Sequence, residues 1–105
     1  MKQEKFYSGS MKAIKEKYPD IYDVVVDLNE AVYTGNHLDY KTQKLVAIGI
    51  AASKADNHAT KQQMKSGMKE FNISAEEIMD VLRIVLLTSG MPAFMQAVSV
   101  LEALS

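Results

Sequence analysis

Apolar residues recur along this chain every three or four positions in six successive stretches, separated by residues that stop or start helices. Near the N-terminus, Phe6 or Tyr7, Met11, Ile14 and Tyr18 keep helical spacing, so a short amphipathic helix is predicted from about Ser10, with Ser8-Gly9 as a flexible break. Pro19 ends it and opens the next, since proline suits a first helical turn but not an interior one. The second helix should cover residues 19 to 34, with Ile21, Val24, Val25, Leu28, Ala31 and Val32 inward and Asp23, Asp27 and Glu30 wet. Val24-Val25-Val26 has strand propensity, but those acids fall where a helix places its polar face. Gly35-Asn36 supplies the left-handed stop.

A third helix should follow Asp39, its expected N-cap, with Leu45, Val46, Ile48, Ile50 and Ala52 as its apolar set. Gly49 among several alanines leaves so little bulk that another helix can approach closely. Asp56 or Asn57 then caps a fourth helix reaching about Phe71, with Ala59, Met64, Met68 and Phe71 inward and Lys61, Lys65 and Lys69 along the wet side. Asn72 is its expected left-handed terminator. Ser74-Ala75-Glu76-Glu77 reads as a capping box for a fifth helix that is apolar nearly all round from Ile78 to Leu87 and is therefore expected to be the buried one. Ser89-Gly90 closes it, and Met91-Pro92 opens a sixth with Phe94, Met95, Ala97, Val98, Val100 and Leu101.

Six helices without a strand signal, in 105 residues, predict a single all-α domain. Residues 84 to 101 are eighteen positions without a charge, nominally the length of a membrane span. The Thr88-Ser89-Gly90-Met91-Pro92 break at their middle favours two helices joined by a tight turn. Two such apolar helices are hard to bury in one small protomer, which predicts a homo-oligomer in which another copy covers part of them.

Charge narrows the function classes. Twelve basic residues stand against thirteen acidic ones, and no basic cluster marks a nucleic-acid binder. The absence of cysteine removes disulfides, zinc-thiolate sites and thiol redox chemistry. The charged Met1-Lys2-Gln3-Glu4-Lys5 leads into no apolar signal core, so a cytoplasmic location is expected.

The order of several pieces carries more than any one of them. Asp39, Lys41 and Lys44-Leu45-Val46-Ala47-Ile48 are followed by a stretch with His58, then Ile73-Ser74-Ala75-Glu76-Glu77-Ile78, then Ser89-Gly90-Met91-Pro92-Ala93. Over residues 19 to 104 this order resembles the carboxymuconolactone decarboxylase-like family, which includes the alkylhydroperoxidase D-like proteins. The resemblance implies an alkylhydroperoxidase D-like helical fold assembled as trimers or hexamers. The family's redox branch carries a Glu, then Cys-x-x-Cys, then a downstream His. Here those positions read Lys44, the segment 56 to 60, and Gln63 or Met64. Thiol peroxidase chemistry has no sulfur to use in this chain, whereas the decarboxylase branch does not depend on those cysteines.

His58 is the candidate catalytic residue: an imidazole exchanges protons near neutral pH, it stands at a helix start, and the resemblance places it between the two cysteine positions. Against that stands a plain surface residue near a cap. Lys44 and Arg83 are candidate anchors for an anionic substrate, with a solvated lysine and a structural ion pair to Glu77, Asp80 or Glu102 as the alternatives. His37 reads as a loop residue, and two histidines 21 positions apart give no metal spacing. The methionines read first as core filler. The resulting expectation is a decarboxylase acting without metal or cofactor on a carboxylated lactone or related small acid. The alternative is a non-catalytic helical protein on the same fold that binds a small ligand or assembles with partners.

Overall fold

The computed structural model describes residues 9–105, of which the first two are described by backbone alone. The expected anchors Phe6 and Tyr7, Ser8 of the expected break, and the charged N-terminal pentapeptide lie outside the described residues. The described residues form six helices, α1 (Gly9–Lys17), α2 (Pro19–Val32), α3 (Tyr40–Ser53), α4 (Asn57–Phe71), α5 (Ala75–Ser89) and α6 (Met91–Leu104), and no strand. They fall into two compact units divided after Asp39.

In the first unit Pro19 sits in the first turn of α2, and Tyr18 N–H closes α1 on the Ile14 carbonyl at 2.7 Å. The hairpin folds so that Lys15 Nζ lies 5.4 Å from the centre of the Tyr22 ring. Tyr22 and Val26, four residues apart, are the buried side chains of α2. That corrects the predicted inner stripe: Ile21, Val24, Leu28 and Val32 are all more than half exposed. The helix carries apolar residues on two faces, and the face turned inward is the one bearing the large aromatic ring, which a count of aliphatic residues overlooks. The helix stops two residues short of the predicted end, at Val32, and Gly35 takes the expected left-handed backbone with φ 68°.

In the second unit α3 packs against α4, α5 and α6, while α6 also packs on α4 and α5. Ile48, Ala52, Met64, Ile73, Ile78, Leu82 and Val85 join Ala93, Ala97 and Leu101 in one core. Gly49 admits α5 against α3, because a Cβ there would lie 3.1 Å from Val81 Cγ1. The caps follow the local sequence. Asp56 Oδ1 accepts from Ala59 N–H at 3.0 Å, and Asn72 ends α4 at φ 55°.

At the start of α5, Ser74 Oγ accepts from Glu77 N–H and Glu77 Oε1 accepts from Ser74 N–H, both at 3.0 Å. The other Glu77 oxygen meets Lys41 Nζ at 3.0 Å, tying the starts of α3 and α5 together. The Ser74 amide first, and Lys41 after it, hold the Glu77 carboxyl below the usual carboxylate range. Ser74→Ala should therefore lower unfolding stability by about 1 kcal/mol, read from the shift of a urea transition with unchanged slope. An unchanged midpoint would mean that the box adds nothing to α5.

Helix α5 is not buried all round within one chain. Ile78, Leu82 and Val85 face the core, but Ile84 is 63% and Leu87 86% exposed. Its apolar residues outnumber the positions that α3 and α6 can cover, which a periodicity argument cannot see. No helix among the described residues is long and apolar enough to cross a membrane.

Candidate functional site

The first turn of α4 and the middle of α6 form the walls of an open groove of about 500 Å³. Asp56 sets the turn that starts α4, so the next two side chains, Asn57 and His58, emerge at its N-terminal end. Lys61 lies one turn further along, and residues three apart on a helix share a face. From α6 come Gln96 and Ser99, again three apart, with Val100 and Ala103 supplying the apolar part of the lining. No acidic side chain lines the groove. A histidine, a lysine, two amides and a hydroxyl thus converge beside the start of α4, where the Asp56 carboxylate already takes the Ala59 amide. The arrangement can hold a small anion and offer it a proton donor.

Sequence reasoning singled out His58 and passed over Lys61, Gln96 and Ser99 as its companions. The sequence marks Lys61 only as one of a row of wet lysines with Lys65 and Lys69. Gln96 and Ser99, with Glu102, are the polar residues of an otherwise apolar α6 at regular three-residue intervals, a readable signal for a polar stripe. What the sequence lacked was any indication that this stripe faces the start of α4.

Lys44 and Arg83 do not line the groove. Lys44 is 2% exposed, which overturns the alternative of a solvated charge. Its Nζ donates to Gln63 Oε1 at 2.7 Å, so of the two candidates for the downstream position, Gln63 is the one that meets Lys44; Met64 is wholly buried in the core. The bare backbone of Gly67 makes room for the Lys44 stem, since a Cβ there would stand 3.4 Å from Lys44 Cγ. Burial pulls the Lys44 pKa down to about 8, with the Glu70 carboxylate acting in the opposite direction. Arg83 is exposed and pairs with Asp80 at 3.6 Å, one of the three structural partners expected for it. Pairs so open to solvent contribute little to stability. His37 is exposed in the loop before α3. Among the described residues no group of three or more His, Cys, Asp or Glu side chains is placed to hold a metal ion.

Comparison with known proteins adds three findings. The model of the carboxymuconolactone decarboxylase family matches residues 19–103. An uncharacterised protein of Methanocaldococcus jannaschii is 62% identical over 104 residues, covering 99% of this chain and 100% of that one. A second uncharacterised protein of the same organism is 37% identical over 89 residues, covering 85% of this chain and 82% of its own length.

Proposed function

Because this chain belongs to the carboxymuconolactone decarboxylase family, we propose that it decarboxylates a carboxylated lactone or a related small unsaturated acid, with His58 as the proton-transfer residue. The observation that carries this reading is the sharing of one acid-free groove by His58 and Lys61. In the reaction the bond between the ring carbon and the carboxylate breaks, carbon dioxide leaves, and the electron pair spreads into the conjugated carbonyl of the lactone. The protonated imidazole then delivers a proton to carbon.

Lys61, with the Gln96 amide and the Ser99 hydroxyl, supplies donors for the oxygen on which negative charge develops. Lys61 thereby takes the anion-holding role for which Lys44 and Arg83 were the candidates by sequence. No step calls for a thiol, which this chain lacks.

The test is carbon dioxide release from 4-carboxymuconolactone at neutral pH. Wild type should turn over, and His58→Ala should lose at least ~10-fold in rate, since a positioned acid-base group usually contributes ~100-fold or more. Absence of turnover in wild type would remove this substrate. The openness of the groove favours a second reading, a small-acid binding protein. In that case the lactone acid would raise the melting temperature without being consumed, and His58→Ala would leave turnover at the same background.

A further inference from the structure

The lysine that lines the His58 groove is the first of three. Lys61, Lys65 and Lys69 follow one another four positions apart along α4, and all are exposed. At about 3.6 residues per turn, these three and His58 fall within an arc of about 80° around the helix, so they share one face. Lys65 stands ~6 Å and Lys69 ~12 Å beyond Lys61 along the helix axis. Neither lines the groove. We propose that the row is an electrostatic track that collects small carboxylate anions from solution and delivers them to the His58 groove. The inference rests on the reading of that groove as an anion site and extends it to cations outside its walls.

Three observations support the track. The first is that nothing neutralises it. The ion pairs among the described residues join Lys41 to Glu77 and Arg83 to Asp80, and none reaches the three lysines. Glu70, the one acid within α4, stands nine positions after Lys61, which places it on the opposite side of the helix, where it acts on Lys44. Asp56, just before the helix, is engaged by the Ala59 amide, and Glu102, the one acid of α6, lies outside the groove lining.

The second is that the row works against its own helix. Like charges four positions apart repel, and each such pair lowers helix stability slightly. Exposed head groups recover none of that through packing. The third is sign and reach. The chain carries a formal net charge of −1, so an approaching anion meets no general attraction, and a local positive row is what turns it toward the groove. The spacing of the lysines is within the ~10 Å over which charges act at ordinary salt, so their fields overlap from Lys69 to Lys61. A nucleic-acid strand would call for a basic surface wider than one arc of one helix.

The test uses the full chain and succinate, a stable small dianion, as the probe. Binding at pH 7 is followed by the NMR signal of the His58 Cε1 proton; the chain has two histidines, and His37→Gln identifies which signal is which. At about 20 mM salt, Lys65→Gln with Lys69→Gln should weaken binding about fivefold. At about 0.5 M salt the variant and wild type should agree within about 1.5-fold, because screening then confines each charge to a few ångströms. Lys65→Arg with Lys69→Arg should bind as wild type does, and so should Arg83→Gln, which removes a cation of α5 outside the groove. Should the double glutamine variant lose helicity by circular dichroism, Lys65→Gln alone is read in its place, with about threefold expected.

The inference is overturned if succinate leaves the His58 signal unmoved at low salt, if the glutamine variant binds as well as wild type there, or if its loss persists at high salt. Salt-dependent succinate binding without carbon dioxide release from the lactone would remove the decarboxylase reading and leave the track standing. Turnover of the lactone together with succinate binding that ignores Lys65 and Lys69 would do the reverse.

Discussion

Lys44→Met should make the protein more stable at pH 7, by about 2 kcal/mol, even though it removes a hydrogen bond. A lysine whose ammonium is brought from a pKa of 10.5 to about 8 by burial carries a cost of about 3 kcal/mol whenever it is charged. The lost bond to Gln63 returns about 1 kcal/mol of that gain. The pH dependence has a definite sign. Between pH 8 and 10.5 the unfolded chain holds a proton at this lysine that the folded chain has released, so unfolding free energy rises with pH across that window. Below pH 8 both states are protonated and the cost is present in full.

Lys44→Met should abolish the rise. Burial raises the Tyr33 pKa above its ordinary 10.0, which works against stability at still higher pH, so the comparison is best read between pH 7 and 9.5 or so. Urea titrations of both proteins at half-unit steps check this. A flat wild-type profile, or a variant less stable than wild type at pH 7, would contradict the picture of Lys44 as a buried cation held at a cost.

Leu82→Ala should have the largest destabilising effect, on the order of 3–4 kcal/mol within the usual 2–5 kcal/mol range for such truncations. Leu82 is fully buried on the inner face of α5, in a core to which α3, α4 and α6 also contribute. Several members of that core are alanines, Ala52, Ala93 and Ala97, whose side chains have no flexibility with which to refill the space. Met64 is the one unbranched side chain among the buried members, and its adjustment sets how far below the upper limit the loss falls. Against a total stability of ~5–15 kcal/mol typical of small proteins, this single truncation should move the urea midpoint by a large fraction. A loss under 1 kcal/mol would show that α5 turns a different face inward.

The parts of the fold written in short-range chemistry were legible without coordinates. Ser74 and Glu77 announce their capping box, Asp56 and Asn72 bracket α4, Pro19 and Gly90 mark two helix boundaries, and the order of these signals identified the family. Each is a contact between residues at most a few positions apart. The inward face of α2 was not legible, because Ile21, Val24 and Leu28 make as good a stripe as Tyr22 and Val26 until α1 is seen to pack on one of them. The same holds at the site. His58 stood out for its chemistry alone, but its companionship with Gln96 and Ser99 is a contact across some forty positions that no spacing rule reports. Lys44 presents the converse case: its neighbours in sequence are unremarkable for a solvated helix start, and only the approach of α4, with Gln63 and the bare Gly67, explains how the charge is enclosed.

Gly90 is shared by two helices: its N–H donates to the Leu86 carbonyl as α5 ends, and its own carbonyl accepts from Phe94 N–H as α6 begins. With φ at 95° it makes the corner in a backbone region that favours glycine. For folding kinetics this means that the α5–α6 pair has almost no loop to close, and the entropy of closure is at its minimum. The α1–α2 pair is likewise joined through a single residue, Tyr18, and α3 reaches α4 across three. Contacts between helices adjacent in sequence are the ones that short loops favour, whereas those of α3 with α5 and α6 close longer stretches of chain. The core-facing residues of α5 thus meet α6 at almost no cost in loop closure, and meet α3 only after the longer segment holding α4 has been closed.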